Sequence, residues 1–133
     1  MAVFVDTVYW LALLNRNDRW HRDAVDWSGR IEGPLVTTDA VLTEVADALC
    51  RADRRHLAIE ALGAIRDDRA VTSVPGSAKL FSEGLKLYGA RRDKDWSLTD
   101  CISFTVMKER KIQSALTADI HFVQAGYRAL LRE

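Results

Sequence analysis

The sequence predicts an α/β domain with a central, short, mostly parallel sheet flanked by helices on both faces. Two observations carry the prediction. Short apolar runs rich in β-branched and aromatic residues alternate with longer stretches whose apolar positions recur at helical spacing. No repeat, low-complexity tract or linker interrupts the alternation, so residues 1–133 read as a single domain.

The elements follow in order. Residues 2–6 form a buried strand, Ala2-Val3-Phe4-Val5, stopped abruptly by Asp6. Thr7 is placed to cap a helix whose apolar positions are Tyr9, Trp10, Leu13 and Leu14. Asn15 to Arg19 break that pattern, and Trp20, Ala24, Val25, Trp27 and Ile31 resume it. Gly33-Pro34 punctuates, Leu35-Val36-Thr37 is a second strand, and Thr38 or Asp39 caps a third helix running to about Ala52. A fourth helix covers His56 to Arg66, and Val71 to Val74 is a strand. After Pro75-Gly76 a helix spans Ser77 to Gly89, and Arg91 to Trp96 is a charged loop. Ser97 caps the helix from Leu98 to Glu109, Ile112 to Leu116 is a strand, and Asp119 to Gln124 is a short helix. Tyr127 to Leu131 is read as a final strand.

Composition is that of an ordinary soluble globular domain, with 48% hydrophobic and 29% charged residues and a formal net charge of zero. The chain as a whole therefore does not advertise nucleic-acid binding. Its cations are mostly arginines, in one group at Arg51, Arg54, Arg55, Arg66 and Arg69 and another at Arg91, Arg92 and Lys94. Clustering alone favours a solvated helix face over a phosphate grip. Cys50 and Cys101 stand far apart without a CxxC, which fits reduced thiols used as small core residues. The N-terminus goes directly into a strand, unlike a signal peptide, and no apolar stretch approaches the roughly 18 residues of a membrane span. A cytoplasmic protein is expected.

Four carboxylates sit where surface charge explains them poorly. Asp6 ends the first strand, Glu44 borders the core-facing stripe of the third helix, Asp100 lies in the first turn after Ser97, and Asp119 closes Ser114-Ala115-Leu116-Thr117-Ala118. Three of them have a structural alternative, Glu44 being the hardest to dismiss: Asp6 and Asp119 can cap the helices that follow. Ser97-Leu98-Thr99-Asp100 is close to a capping box. Asp47 points elsewhere on its helix and reads as solvated. Ligands of an open parallel sheet bind beyond the carboxyl ends of its strands, which gives the four acids a common destination. Their mutual repulsion there would require a counter-charge, and oxygen ligands suit Mg²⁺ or Mn²⁺. His21, His56 and His121 lack metal-pair spacing; His121, two residues after Asp119, could approach the site, but a surface role is favoured. Ser97 and Ser103 have no nearby histidine for a nucleophilic triad, and no glycine-rich phosphate loop is present. The tryptophans at 10, 20, 27 and 96 read as core and interface residues.

With the acids in this order the chain resembles a PIN-domain ribonuclease, more closely the toxin of a VapBC-type toxin–antitoxin pair. The resemblance covers nearly the whole chain. It is carried by Val3-Phe4-Val5-Asp6-Thr7, Thr43-Glu44-Val45, the run from Asp95-Trp96-Ser97-Leu98-Thr99-Asp100 to Phe104, and Leu116-Thr117-Ala118-Asp119-Ile120-His121-Phe122. It implies that Asp6, Glu44, Asp100 and Asp119 bind one or two Mg²⁺ or Mn²⁺ ions, with Thr7 assisting through its hydroxyl. Many relatives carry a second hydroxyl residue where Val8 stands here. Asp93 and Asp95, in a charged loop, are not expected to contribute, and Arg91 and Arg92 stand as phosphate-gripping candidates. The implied activity is that of a metal-dependent endoribonuclease. Its implied partners are an RNA substrate, a cognate antitoxin through which alone it meets DNA, and a second copy in a homodimer, with Trp10, Trp20 and Trp27 as candidate interface residues. The rivals are a non-catalytic RNA-binding relative, an aspartyl-nucleophile phosphatase and a receiver domain. The phosphatase requires an acid where Val8 stands, and the receiver lacks its paired N-terminal acids.

Overall fold

The computed structural model describes residues 1–133. Strand β1 (Val3–Val5) is followed by helices α1 (Thr7–Leu14) and α2 (His21–Arg30), then β2 (Leu35–Thr38). Helices α3 (Asp39–Ala48) and α4 (Arg55–Asp67) lead to β3 (Val71–Val74), and α5 (Ala78–Ala90) and α6 (Leu98–Arg110) to β4 (Ser114–Leu116). Helix α7 (Ile120–Gln124), β5 (Arg128–Ala129) and a 3-10 turn at Leu130–Arg132 complete the chain. The strands lie in the order β3-β2-β1-β4-β5, and every pairing is parallel.

Successive strand residues face opposite sides of a sheet. Phe4 and Val5 are both inaccessible, as are Ala115 and Leu116, so both faces of the sheet centre are covered. The chain moves outward from β1 to β3, then crosses back to β4 and β5. Right-handed crossovers therefore put α1 to α4 on one face and α5 to α7 on the other. That reversal creates a crevice at the carboxyl ends of β1 and β4. Beneath it runs an aromatic series: Trp96 to Phe104 at 5.0 Å and Phe104 to Phe122 at 4.9 Å, both edge-on, and Phe122 to Phe4 at 6.2 Å, tilted, between centroids. It binds α6, α7 and β1 into one body.

Several expected details change. Thr7 does not cap α1: Asp6 holds the cap position without a side-chain cap bond, and the Thr7 hydroxyl donates to Glu44 instead. Helix α3 ends at Ala48 rather than near Ala52, because the chain turns at Leu49, which is buried. Strand β4 begins at Ser114, since α6 closes with Lys111 in the left-handed region (φ 57°) and the Ile112 N–H bonded to the Met107 carbonyl at 2.9 Å. This is a Schellman closure with buried Ile112 as its apolar partner. The last strand is only Arg128–Ala129, because the chain turns into a 3-10 helix at Leu130–Arg132, which buries Leu130 and Leu131. Cys50 is exposed rather than core, while Cys101 is buried, and both are free thiols. Trp10 is nine-tenths buried, so it offers little surface to a partner. Trp20 and Trp27 are half-buried under the guanidinium groups of Arg19 and Arg30. No helix is long and apolar enough to cross a membrane.

The contact between α5 and α6 matters because α6 carries Asp100. It closes at Gly84, where an added Cβ would lie 2.6 Å from Cγ1 of Ile102, close to backbone and unable to swing away. Gly63 in α4 has no atom within 4 Å of such a Cβ. We expect Gly84→Ala to lose about 1–3 kcal/mol by overpacking, and Gly63→Ala to gain about 0.5–1 kcal/mol from helix propensity. Urea titration of the two variants checks the opposite signs.

Candidate active site

The carboxyl ends of β1 and β4 are joined by the Asp6 N–H, which donates to the Leu116 carbonyl at 3.2 Å. Above this junction lies a cleft of about 440 Å³ lined by Asp6, Thr7, Val8, Glu44, Asp47, Asp95, Ser97, Asp100, Asp119 and His121. The structure thus brings all four sequence-predicted acids to one cleft. Asp47 and Asp95 also border it, but both are exposed, as expected for Asp47. No lysine or arginine lines it.

Each predicted acid is held by one oxygen. Asp6 is buried, and the Thr117 hydroxyl donates to its Oδ2 at 2.8 Å. Thr117 has no accessible surface, and its hydroxyl also accepts from the Asp119 N–H at 3.1 Å, linking the two acids. Glu44 comes from α3, which Thr38 caps by accepting from the Val41 N–H at 3.0 Å, and its Oε1 accepts from Thr7. Asp100 is the third helical residue of a complete capping box. Ser97 Oγ accepts from its N–H at 3.0 Å, and its Oδ2 accepts from the Ser97 N–H at 3.1 Å. Asp119 caps α7 by accepting from the His121 N–H through Oδ1 at 2.8 Å. The capping and cleft readings of Asp100 and Asp119 are therefore compatible: one oxygen caps a helix, and the other has no hydrogen bond to protein.

His121 is half-buried in the cleft rather than a surface residue, with Nδ1 2.9 Å from Asp100 Oδ2 and 3.4 Å from Asp119 Oδ1. Sequence reasoning noted that His121 could approach the site but favoured a surface role, and it missed Thr117. The available signal was spacing, since both lie two residues from Asp119 across a strand–helix junction. Arg91 is less available to a ligand than the sequence suggested. It forms a two-pronged ion pair with Asp93 at 3.0 and 3.1 Å and stacks 5.0 Å over the Trp96 ring.

Electrostatics follow from burial. Removal from water pushes the Asp6 carboxyl up to about 7, against the pull of Thr117 and the Thr7 backbone, and the charges of Asp100 and Asp119 push it further up. Burial likewise holds Asp100 above the usual carboxylate range, opposed by its hydrogen bonds from His121 and Ser97. A cation would relieve these strains. Asp100, Asp119 and His121 each offer a ligand atom, all within 4.8 Å of one another. Unpaired carboxylate oxygens facing a cleft without cations are a donor set suited to a hard divalent ion.

A family model described as PIN domain matches residues 3–126. The chain belongs to the PIN domain family. It is 32% identical over 127 residues to a Mycobacterium tuberculosis protein named 23S rRNA-specific endonuclease VapC20, covering 94% of this chain and 95% of that one. The crystal structure of M. tuberculosis VapC20, described as a sarcin–ricin loop cleaving toxin, matches with a TM-score of 0.88 at 29% identity, over 96% of this chain and 97% of the other. VapBC2 from Rickettsia felis, solved on a DNA fragment from its promoter, matches with a TM-score of 0.68 over 96% of each chain. At 11% identity it shares the fold. The PIN fold expected from the sequence is therefore the fold observed, with an all-parallel sheet.

The Asp6 shift has a stability consequence. Its folded value near 7 lies above the unfolded value near 3.8, so the folded state binds the extra proton between these pH values. The stabilisation from protonated Asp6 is complete below about pH 4 and is lost as pH rises through 7. In metal-free protein, we expect Asp6→Asn to flatten that decline and to exceed the wild type at pH 8 by on the order of 2–4 kcal/mol. Urea unfolding in chelator at pH 4.5 and pH 8 measures both changes; equal pH dependence of the two proteins would refute the assignment.

Proposed function

We propose that this protein is a Mg²⁺- or Mn²⁺-dependent endoribonuclease acting as the toxin of a type II toxin–antitoxin pair. The observation that carries the reading is the convergence of four acids from four separate segments at the β1–β4 crevice, each tethered through one oxygen. Asp6, Glu44, Asp100 and Asp119 are the residues that would hold one or two ions. When bound, a divalent ion lowers the pKa of an attacking water and offsets charge on the leaving oxygen.

The remaining work belongs to the chain. Thr117 fixes Asp6 and Asp119, Thr7 fixes Glu44, and the Ser97 backbone fixes Asp100, so little reorganisation accompanies metal or substrate entry. The rigid aromatic series below keeps α6 and α7 from spreading under the repulsion. The reaction is in-line hydrolysis of an RNA phosphodiester, leaving a 5′-phosphate and a 3′-hydroxyl. Likeness over nearly the whole length to an enzyme named for 23S rRNA makes ribosomal RNA the first substrate to test. A cognate antitoxin as inhibitor, DNA contact only through it, a homodimer and a cytoplasmic setting belong to the same proposal.

Purified protein freed of any antitoxin is expected to cut 23S rRNA in Mg²⁺ or Mn²⁺ at discrete positions mapped by end sequencing. Asp6→Asn and Asp100→Asn should each reduce the rate by at least about a hundredfold, about 2.7 kcal/mol in activation free energy, while remaining folded. Chelator should abolish cutting and added metal restore it. Undiminished cleavage by either variant would remove that residue from the catalytic set.

A further inference from the structure

His121 touches two of the acids but has no part in the reading above. Its place is rigid, because the adjacent Phe122 is fully buried between Phe4 and Phe104. Its backbone N–H holds Asp119 Oδ1 at 2.8 Å, and its ring Nδ1 lies 2.9 Å from Asp100 Oδ2. One residue therefore grips both acids, one through the main chain and one through the ring.

Where Asp100 is ionised, as holding a cation requires, the hydrogen bond sets the tautomer. An ionised carboxylate only accepts, so a contact of 2.9 Å requires the proton on Nδ1. The lone pair of the neutral ring then belongs to Nε2, and Nδ1 is unavailable for ligation. Asp100 Oδ2 also accepts from the Ser97 N–H at 3.1 Å, so two donors hold that oxygen while Oδ1 is left without a protein partner. We propose that His121 is a positioning residue: through Nδ1–H and its backbone N–H it sets the spacing at which the free oxygens of Asp100 and Asp119 meet a single cation. The proposal rests on the metal-dependent reading of the site.

The test is Mn²⁺ binding to ¹⁵N-labelled wild type, His121→Asn and His121→Leu, read by electron paramagnetic resonance. The amide Nδ2 of asparagine can take the place of imidazole Nδ1 as donor. His121→Asn should stay within about threefold of wild-type affinity, whereas His121→Leu should lose about 10–100-fold, as removal of a ligand's hydrogen-bond partner does. Pulsed spectra of the wild type should show no directly coordinated nitrogen, and His121→Leu should keep native circular dichroism. Its ribonuclease kcat should recover at saturating Mn²⁺, a rescue that a folding defect would not show. Wild-type affinity in His121→Leu would overturn the proposal while leaving the metal-dependent reading intact. Strong coupling to a directly bound nitrogen in the wild type, lost in both variants, would make His121 a ligand and also overturn it. A wild type that binds no Mn²⁺ would overturn the proposal and the metal-dependent reading together.

Discussion

Like charges held together at the β1–β4 crevice are the constraint on which the rest of this structure depends. Six carboxylates, Asp6, Glu44, Asp47, Asp95, Asp100 and Asp119, line one cleft that contains no lysine or arginine. Two charges about 5 Å apart repel by roughly 3 kcal/mol at the effective dielectric of a protein site. Asp100 and Asp119 offer oxygens within 4.8 Å of each other, so the repulsion is of this order before Asp6 and Glu44 are counted. Surface loops would yield to such a force. Strand ends and helix first turns anchored on a packed core do not. Phe4, Phe104 and Phe122 interlock directly beneath the acids, and Val5 and Leu116, fully buried, fix the strands from which Asp6 and Asp119 emerge.

The same constraint explains how the acids are tethered. A carboxylate has two oxygens and several acceptor sites, so holding it through one oxygen leaves the other for a ligand. Asp100 completes a capping box with one oxygen, and Asp119 caps α7 with one. Local helix stability and the geometry of the cleft are thus obtained from the same side chains. Asp6 differs. It holds the cap position of α1 but makes no cap bond, and its tether comes from Thr117, which is 111 residues away in sequence. It is also the acid that burial pushes furthest, up to about 7. A helix cap would have satisfied Asp6 locally; the long-range tether instead keeps it directed toward the crevice.

Much of this was legible in the sequence. Abrupt polar stops after apolar runs located the strand ends, and helical spacing placed Glu44 beside the core stripe. The relation among Ser97, Thr99 and Asp100 located the first turn of α6. What the sequence could not show has physical causes. Thr7 looks like a cap residue but is the first residue of α1, one past the cap position held by Asp6, and only the fold puts Glu44 within its reach. His121 lies two residues from Asp119, but spacing alone does not orient a side chain; its orientation follows from the burial of Phe122. Asp47 and Asp95 look like solvated charges on a helix and in a loop. They reach the cleft only because α3 and the loop before α6 converge from opposite sides of the sheet. The last strand was overread because apolarity at Leu130 and Leu131 reflects core filling by a 3-10 turn rather than alternation.

An acidic cleft and an anionic substrate make the order of charge neutralisation central to how such a site would operate. A phosphodiester entering six carboxylates without a cation is repelled from every wall. The compensating charges of this chain stand outside: a second depression lined by Tyr88, Arg91, Arg92 and Lys94 shares Asp95 and Ser97 with the cleft. Within it Arg91 is already committed to Asp93 and to the face of Trp96, and Lys94 lies 3.9 Å from Asp93, which leaves Arg92 without an ion-pair partner. The chain's own cations are therefore too few, and too far to the side, to neutralise a phosphate at the acids themselves. In the proposed reading, metal and phosphate must enter the crevice as mutually dependent charges. The formal neutrality of the whole chain is consistent with that division, because it averages an acidic centre with a basic periphery that general composition cannot resolve.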